Sequence, residues 1–268
     1  MIETAPAWYV YCITPAGEVP ALEGLAGVDP AFEVGRLTEG DLSAVVSRVR
    51  PEEFGAEALK RNFEDLAWLE RTARAHDAVL DRVLLGNAVV PLRLCTLFVD
   101  EDGVREALRR ESEPLLDALR HVRGRAEWSV KLLADLSRLK AAVREPSSGL
   151  TEAGARPSGH AYFARKQRER VAREDARVMI ERAVEETHAC LCDQSAAATT
   201  LPPQHRQLSG RSGDMVLNGA YLVDRSRGAR FAAVAKELAS RDRELGLTLE
   251  LTGPFAPYNF VHAGRRSE

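Results

Sequence analysis

Apolar positions along the chain change period several times, and each change marks an element. Trp8-Tyr9-Val10-Tyr11-Cys12-Ile13 is aromatic or β-branched at nearly every position, the pattern of a strand buried on both faces. Pro15 and Gly17 end it. A second strand is predicted over 42–49, where Val45, Val46 and Val49 follow the turn-like Glu39-Gly40-Asp41. From about 56 to 85 the period becomes helical. Leu59, Phe63, Leu66, Leu69, Ala73, Leu80 and Leu84 recur at three- and four-residue steps and their multiples, which lays one apolar stripe along a single face. Gly86-Asn87 supplies the left-handed stop. The run 89–99 reads as a strand interrupted by Pro91, hence an edge or a bulge. A short helix is predicted over 104–120.

Gly124 marks the expected domain boundary. Beyond it Glu127-Trp128-Ser129-Val130-Lys131-Leu132 alternates, with Trp128, Val130 and Leu132 on the inner face. A short helical piece is predicted over 134–143, then loops near 145–160 and 196–213, the second with a short strand near 199–201. Between those loops lies a helix of about 160–195, so densely charged from Arg165 to Glu186 that most of its circumference must face water. A strand over 215–224, a helix over 227–245 and the alternating strand 247–252 follow, and Gly253-Pro254 is expected to stop the last. In order, 126–253 reads β-α-β-β-α-β. The expected fold is therefore α+β in two domains. Residues 1–123 form a small mixed α+β domain around the long amphipathic helix. Residues 124–268 form a ferredoxin-like domain carrying the long charged helix and an aromatic tail.

Charge and composition narrow the function rather than supply it. Charged residues are 29% and hydrophobic ones 45% of 268, with a formal net charge of −3. That is too apolar for a disordered chain and too evenly charged for wholesale binding to nucleic acid or anionic lipid. The start has no basic leader, and no run approaches the roughly 20 apolar residues of a membrane-spanning helix. With no export signal, Cys12, Cys95, Cys190 and Cys192 are expected to be reduced thiols in the cytoplasm.

Recognisable catalytic chemistry is sparse along the chain. There is no phosphate-cradling Gly loop, no G-x-S-x-G elbow and no H-E-x-x-H, so no catalytic residue, cofactor or metal ligand is assigned. His188, Cys190 and Cys192 are metal-ligand types, but on a helix Cys190 points away from the other two. His76 lies near the apolar stripe, where a general base and a core-edge histidine bonded to a backbone group are both conceivable. Arg165, Lys166, Arg168, Arg170 and Arg173 form a basic cluster followed closely by acids, which suits a solvated helix face or the orientation of a protein partner. The aromatic tail holds Phe255, Tyr258 and Phe260 together with two prolines, Pro254 and Pro257. Two readings stay open for it: a tail tucked across its own sheet, or a docking surface for an apolar partner.

Seven segments in register resemble the GvpF/GvpL family of gas vesicle proteins. They are Tyr9-Val10-Tyr11; His76-Asp77 with the three residues after it; Val90-Pro91-Leu92-Arg93 through Phe98; Glu127-Trp128-Ser129-Val130-Lys131; Ala161 to Lys166; Asn218-Gly219-Ala220-Tyr221-Leu222-Val223; and Leu249 to Pro254 with Pro257 to Val261. Two departures stand out. Arg93-Leu94-Cys95-Thr96 replaces the family's usual Arg-Phe-Gly-Thr, and Gly253-Pro254-Phe255 replaces a frequent Gly-Pro-Trp. The resemblance implies a non-enzymatic accessory or minor structural protein of the gas vesicle, contacting the small hydrophobic shell protein and other accessory proteins, cytoplasmic or on the vesicle. Phe255, Tyr258 and Phe260 are the expected partner-binding residues. A small-molecule-sensing module built on ferredoxin-like domains, and an enzyme with an unrecognised site, are the alternatives.

Overall fold

Two antiparallel sheets organise the chain, one in each of two units. The computed structural model describes residues 6–135, 159–203, 213–244 and 246–261. The first unit joins Met1–Glu127 to Pro254–Glu268, and the second is Trp128–Gly253.

At the centre of the first sheet is β1 (Ala7–Pro15), antiparallel to β3 (Leu42–Val49) from Ala7↔Val49 to Pro15↔Leu42, with the register slipping between Val10 and Cys12. Burial on both faces matches the unbroken aromatic and β-branched run. An unanticipated strand, β2 (Val34–Glu39), forms a hairpin with β3 across Gly40. Its pattern is diluted by Gly35, Arg36 and Thr38 because it is an edge strand, burying only Val34 and Leu37. The predicted strand over 89–99 resolves into two short pieces, β4 (Val90–Pro91) and β5 (Leu97–Phe98), both paired with β1. The turn between them is held by Thr96 donating its amide to the Arg93 carbonyl.

The long helix expected over 56–85 is two: after a short α1 (Pro51–Phe54), α2 (Ala56–Asn62) precedes α3 (Leu66–Leu84). Asp65 causes the break: its carboxylate accepts the amides of Ala67 and Trp68 and so caps a new helix. Restarting there rotates the buried face. Trp68, Thr72, His76, Val79, Leu80, Val83 and Leu84 are buried, whereas Leu66, assigned to the stripe on spacing alone, is 80% exposed. Similarly, the single helix predicted over 104–120 is α4 (Glu101–Arg110), started by the Asp100 cap, and α5 (Ser112–Val122). In this unit α3 and α5 lie against β1, and α4 against β2 and β3.

The second unit runs β6 (Arg125–Ala134), α6 (Gly159–Cys192), β7 (Ala197–Thr200), β8 (Asp214–Asp224), a 3-10 turn (Arg225–Arg227), α7 (Gly228–Glu244) and β9 (Leu247–Phe255). Its sheet order is β7-β8-β6-β9, with β7 and β8 antiparallel. Only part of α6 is apolar on one side. Ala176, Ile180 and Ala183 pack with Leu132, Ala134, Leu217 and Leu247, and Leu191 joins Val130, Tyr221, Phe231 and Leu238. The Thr187 hydroxyl donates to the buried Asp242 carboxylate at 3.0 Å, tying α6 to α7. Residues 136–143 of the helix predicted over 134–143, 145–158 of the first predicted loop and 204–212 of the second lie outside the described residues, and Ala134 closes β6.

Three boundaries differ from the expected ones. The division falls inside β6, between Glu127 and Trp128, rather than at Gly124. β9 does not stop at Gly253-Pro254 but continues to Phe255; as the last strand in its sheet it has an outer side where a missing amide costs no ladder bond. The residues after Gly253 group with the first unit and not with the domain that precedes them in sequence.

Candidate functional site

The C-terminal aromatic segment is seated on the first unit by side chains from β1, α3 and β6. Ala256 and Tyr258 pack into the cluster built from Tyr9, Tyr11, Cys12, Trp68, Val79, Leu80 and Val83. Phe260 and Val261 are buried as well. Of the three residues predicted to bind a partner, Tyr258 and Phe260 are therefore occupied within the chain, and Phe255, 46% exposed, remains at the surface.

A chain of hydrogen bonds fixes Tyr258. The Cys95 amide donates to the Tyr9 hydroxyl oxygen at 3.1 Å, and that hydroxyl lies 2.8 Å from His76 Nδ1. The His76 ring bridges the two phenols, its Nε2 lying 3.1 Å from the Tyr258 hydroxyl, and the neutral imidazole carries its proton on one of the two ring nitrogens. His76 is 2% exposed. Burial lowers its pKa to about 4, against a smaller upward pull from the Leu92 carbonyl. Burial likewise pushes the Tyr9 and Tyr258 phenols above their ordinary value. Two phenols that keep their protons around a neutral imidazole make a clasp, not a base poised for proton abstraction.

A second anchor comes from β6. Glu127 accepts the Asn259 backbone amide at 2.9 Å and its side-chain amide at 2.6 Å. Burial raises the Glu127 pKa, and the two Asn259 donors only partly offset it. Beside these, the Tyr11 hydroxyl bonds Ser47 at 2.8 Å and accepts the Val28 amide at 2.9 Å. Tyr9, Tyr11, Glu127 and Asn259 were not identified as site residues from sequence. The available signal was a polar group in an otherwise apolar run: Tyr9, Tyr11 and Glu127 are buried there and need partners, whereas Asn259 is exposed.

Cys95 occupies a strained place in this arrangement. Among the described residues it is the non-glycine residue with positive φ, at 62°, and it stands where the resembled family usually has glycine. The turn keeps its left-handed geometry without glycine because the Cys95 amide is held by Tyr9 and the next residue by Arg93. Burial pushes the Cys95 thiol up to about 11.

The remaining candidates separate. His188 Nδ1 bonds the Tyr221 hydroxyl at 2.8 Å, and Cys192 Sγ lies 3.6 Å from His188 Nε2, while Cys190 is exposed. Among the described residues no three His, Cys, Asp or Glu side chains converge to hold a metal ion. Of the basic cluster, Lys166, Arg170 and Arg173 are exposed on α6; the side chains of Arg165 and Arg168 lie outside the description. No described helix is long and apolar enough to cross a membrane.

Comparison with known proteins covers nearly the whole chain. The family model described as gas vesicle synthesis protein GvpL/GvpF matches residues 7–262. Gas vesicle protein L of Streptomyces sp. (strain CB03234) is 36% identical over 256 residues, covering 94% of this chain and 92% of that one. Gas vesicle protein F of the same strain is 30% identical over 260 residues, covering 94% and 98%. Among solved structures, gas vesicle protein GvpF from Anabaena sp. PCC7120 superimposes with a TM-score of 0.70 at 18% identity, over 98% of this chain and 99% of that one. GvpF from Microcystis aeruginosa gives 0.66 at 18% identity, over 96% and 99%. At that identity the likeness shows a shared fold.

Proposed function

The chain belongs to the gas vesicle synthesis protein GvpL/GvpF family, and from that premise we propose that it serves vesicle assembly by holding the small hydrophobic shell protein and passing it to the growing shell. The role is non-enzymatic, exercised in the cytoplasm and at the vesicle alongside other accessory proteins. We also read the second unit as ferredoxin-like, on its β-α-β-β-α-β succession and its order β7-β8-β6-β9.

One observation carries the reading. β9 ends its sheet, presents half-buried Leu249 and Leu251, and finishes on the exposed Phe255. A small, apolar, strand-forming subunit left alone in water pairs its edges irregularly. An edge strand ending in an exposed ring offers it main-chain hydrogen bonds and an apolar contact together, the mode of strand addition. Tyr258 and Phe260 contribute by holding Phe255 in place rather than by contact.

The test uses co-expression with the shell protein. Deleting 254–268 is unsuitable, because Ala256, Tyr258 and Phe260 are part of the first unit's buried interior. Phe255→Ser and Thr252→Pro act on an exposed ring and an exposed position of β9. Each is expected to lower the amount of soluble shell protein that co-purifies while leaving the melting profile nearly unchanged. Undiminished co-purification by both variants would remove β9 as the contact.

A further inference from the structure

Helix α6 is longer than the sheet it packs on. Its first described buried side chain is Ala176. Before and around that point Phe163, Val171 and Val178 are 70%, 52% and 56% exposed. At about 100° per residue the three fall within roughly 80° of arc, so they form one apolar stripe facing water.

Charge along the same helix is polarised. Residues 165–173 hold five basic residues and one acidic; residues 174–186 hold five acidic and two basic. Beside the stripe lies a groove of about 510 Å³ whose apolar lining is Ile180, Val184 and Val216.

We infer that α6 docks antiparallel on α6 of a second copy of this chain. A twofold axis near Arg173 and Glu174 sets each basic half against the partner's acidic half. The same alignment sets Phe163 over the groove at Val184, Val171 close to Val178, and Lys166 beside Glu181. Parallel pairing would place basic on basic and acidic on acidic, which is repulsive. A stripe polar in charge and apolar in its centre is self-complementary in one orientation, as an isologous interface requires. With so small an apolar contact the pair is weak and salt-sensitive.

Sedimentation equilibrium of the full chain over a range of about 1–100 µM reads this directly. Association is expected to rise with concentration and to weaken with added salt. Val178→Asp alters a side chain already in water and should weaken association by about tenfold or more with an unchanged melting profile. Lys166→Glu should weaken it too, and adding Glu181→Lys to the same chain should restore it. A monomer at every concentration, a dimer indifferent to Val178→Asp, or a charge swap without rescue would each overturn the inference. So would a monomeric chain that binds phosphatidylserine vesicles through Phe163 and Lys166, since the stripe would then belong to a lipid surface.

Discussion

Acid should loosen the first unit through His76 in particular. The ring is neutral when folded, with its pKa lowered from 6.5 to about 4 by burial, and 2% exposure leaves solvent little room to screen the charged form. Unfolded, it titrates near its ordinary value. Between those two values the unfolded chain binds more protons than the folded one, so stability rises with pH there and falls as pH drops through the window. Integrating from about pH 7 to about pH 4.5 gives a loss of roughly 2 kcal/mol from this one group. Glu127 and Asp77, both raised chiefly by burial, act in the opposite sense, because they take up protons more readily when folded. Asp29 would be raised by burial, but Arg50 holds it below its ordinary 3.8, so its loss comes mostly at lower pH. Comparison with His76→Gln cancels these other groups. The assay is urea unfolding at both pH values in a Trp128→Phe background, so that Trp8 and Trp68, both in the first unit, report. The parent should lose about 2 kcal/mol more than His76→Gln on acidification. Equal losses would refute the buried neutral imidazole.

Three further outcomes follow from contacts already described. A methyl group on Gly219 would lie 2.7 Å from the Tyr221 ring and hydroxyl, so Gly219→Ala should displace that ring from His188 and Phe231 and cost about 2–4 kcal/mol in thermal or urea unfolding, with Tyr221→Phe costing only about 1 kcal/mol. Asn259→Ala removes the 2.6 Å donor to Glu127 and should cost about 1–3 kcal/mol near neutrality; because Glu127 titrates above its ordinary value, the penalty should shrink once acid protonates it, as paired urea titrations would show. At Cys95, φ of 62° penalises a β-branched side chain, so Cys95→Val should be less stable than Cys95→Gly by roughly 2 kcal/mol, measured by thermal denaturation.

Local pattern and tertiary demand coincide in most of the regular elements. β3 spans the predicted 42–49, and β1 extends the predicted core by one residue before and two after. α7 and β8 lie within a residue or so of their expected limits. The three strands are buried nearly throughout and α7 buries one stripe, Phe231, Ala235, Leu238 and Asp242, so their periodicity carries the whole signal. A capping group or an edge position weakens that signal elsewhere. Asp65 divides a helix that spacing alone would continue, and β2 has too few buried positions to alternate cleanly. The family resemblance, spread from residue 9 to residue 261, was recoverable because it rested on seven short segments in register rather than on any site.

The sequence by itself determined the elements and their succession, since a strand or an amphipathic helix is specified by neighbours within a few residues of one another. It also determined the mixed α+β class and the family. Only the tertiary structure decided where the aromatic tail belongs. Tyr258 and Asn259 are the last links of contacts reaching back 182 residues to His76 and 132 residues to Glu127. No local rule spans such separations: a buried phenol or carboxylate needs a partner, but which distant group supplies it is settled by packing. The same packing turned two of three presumed contact residues inward and left Phe255 outside.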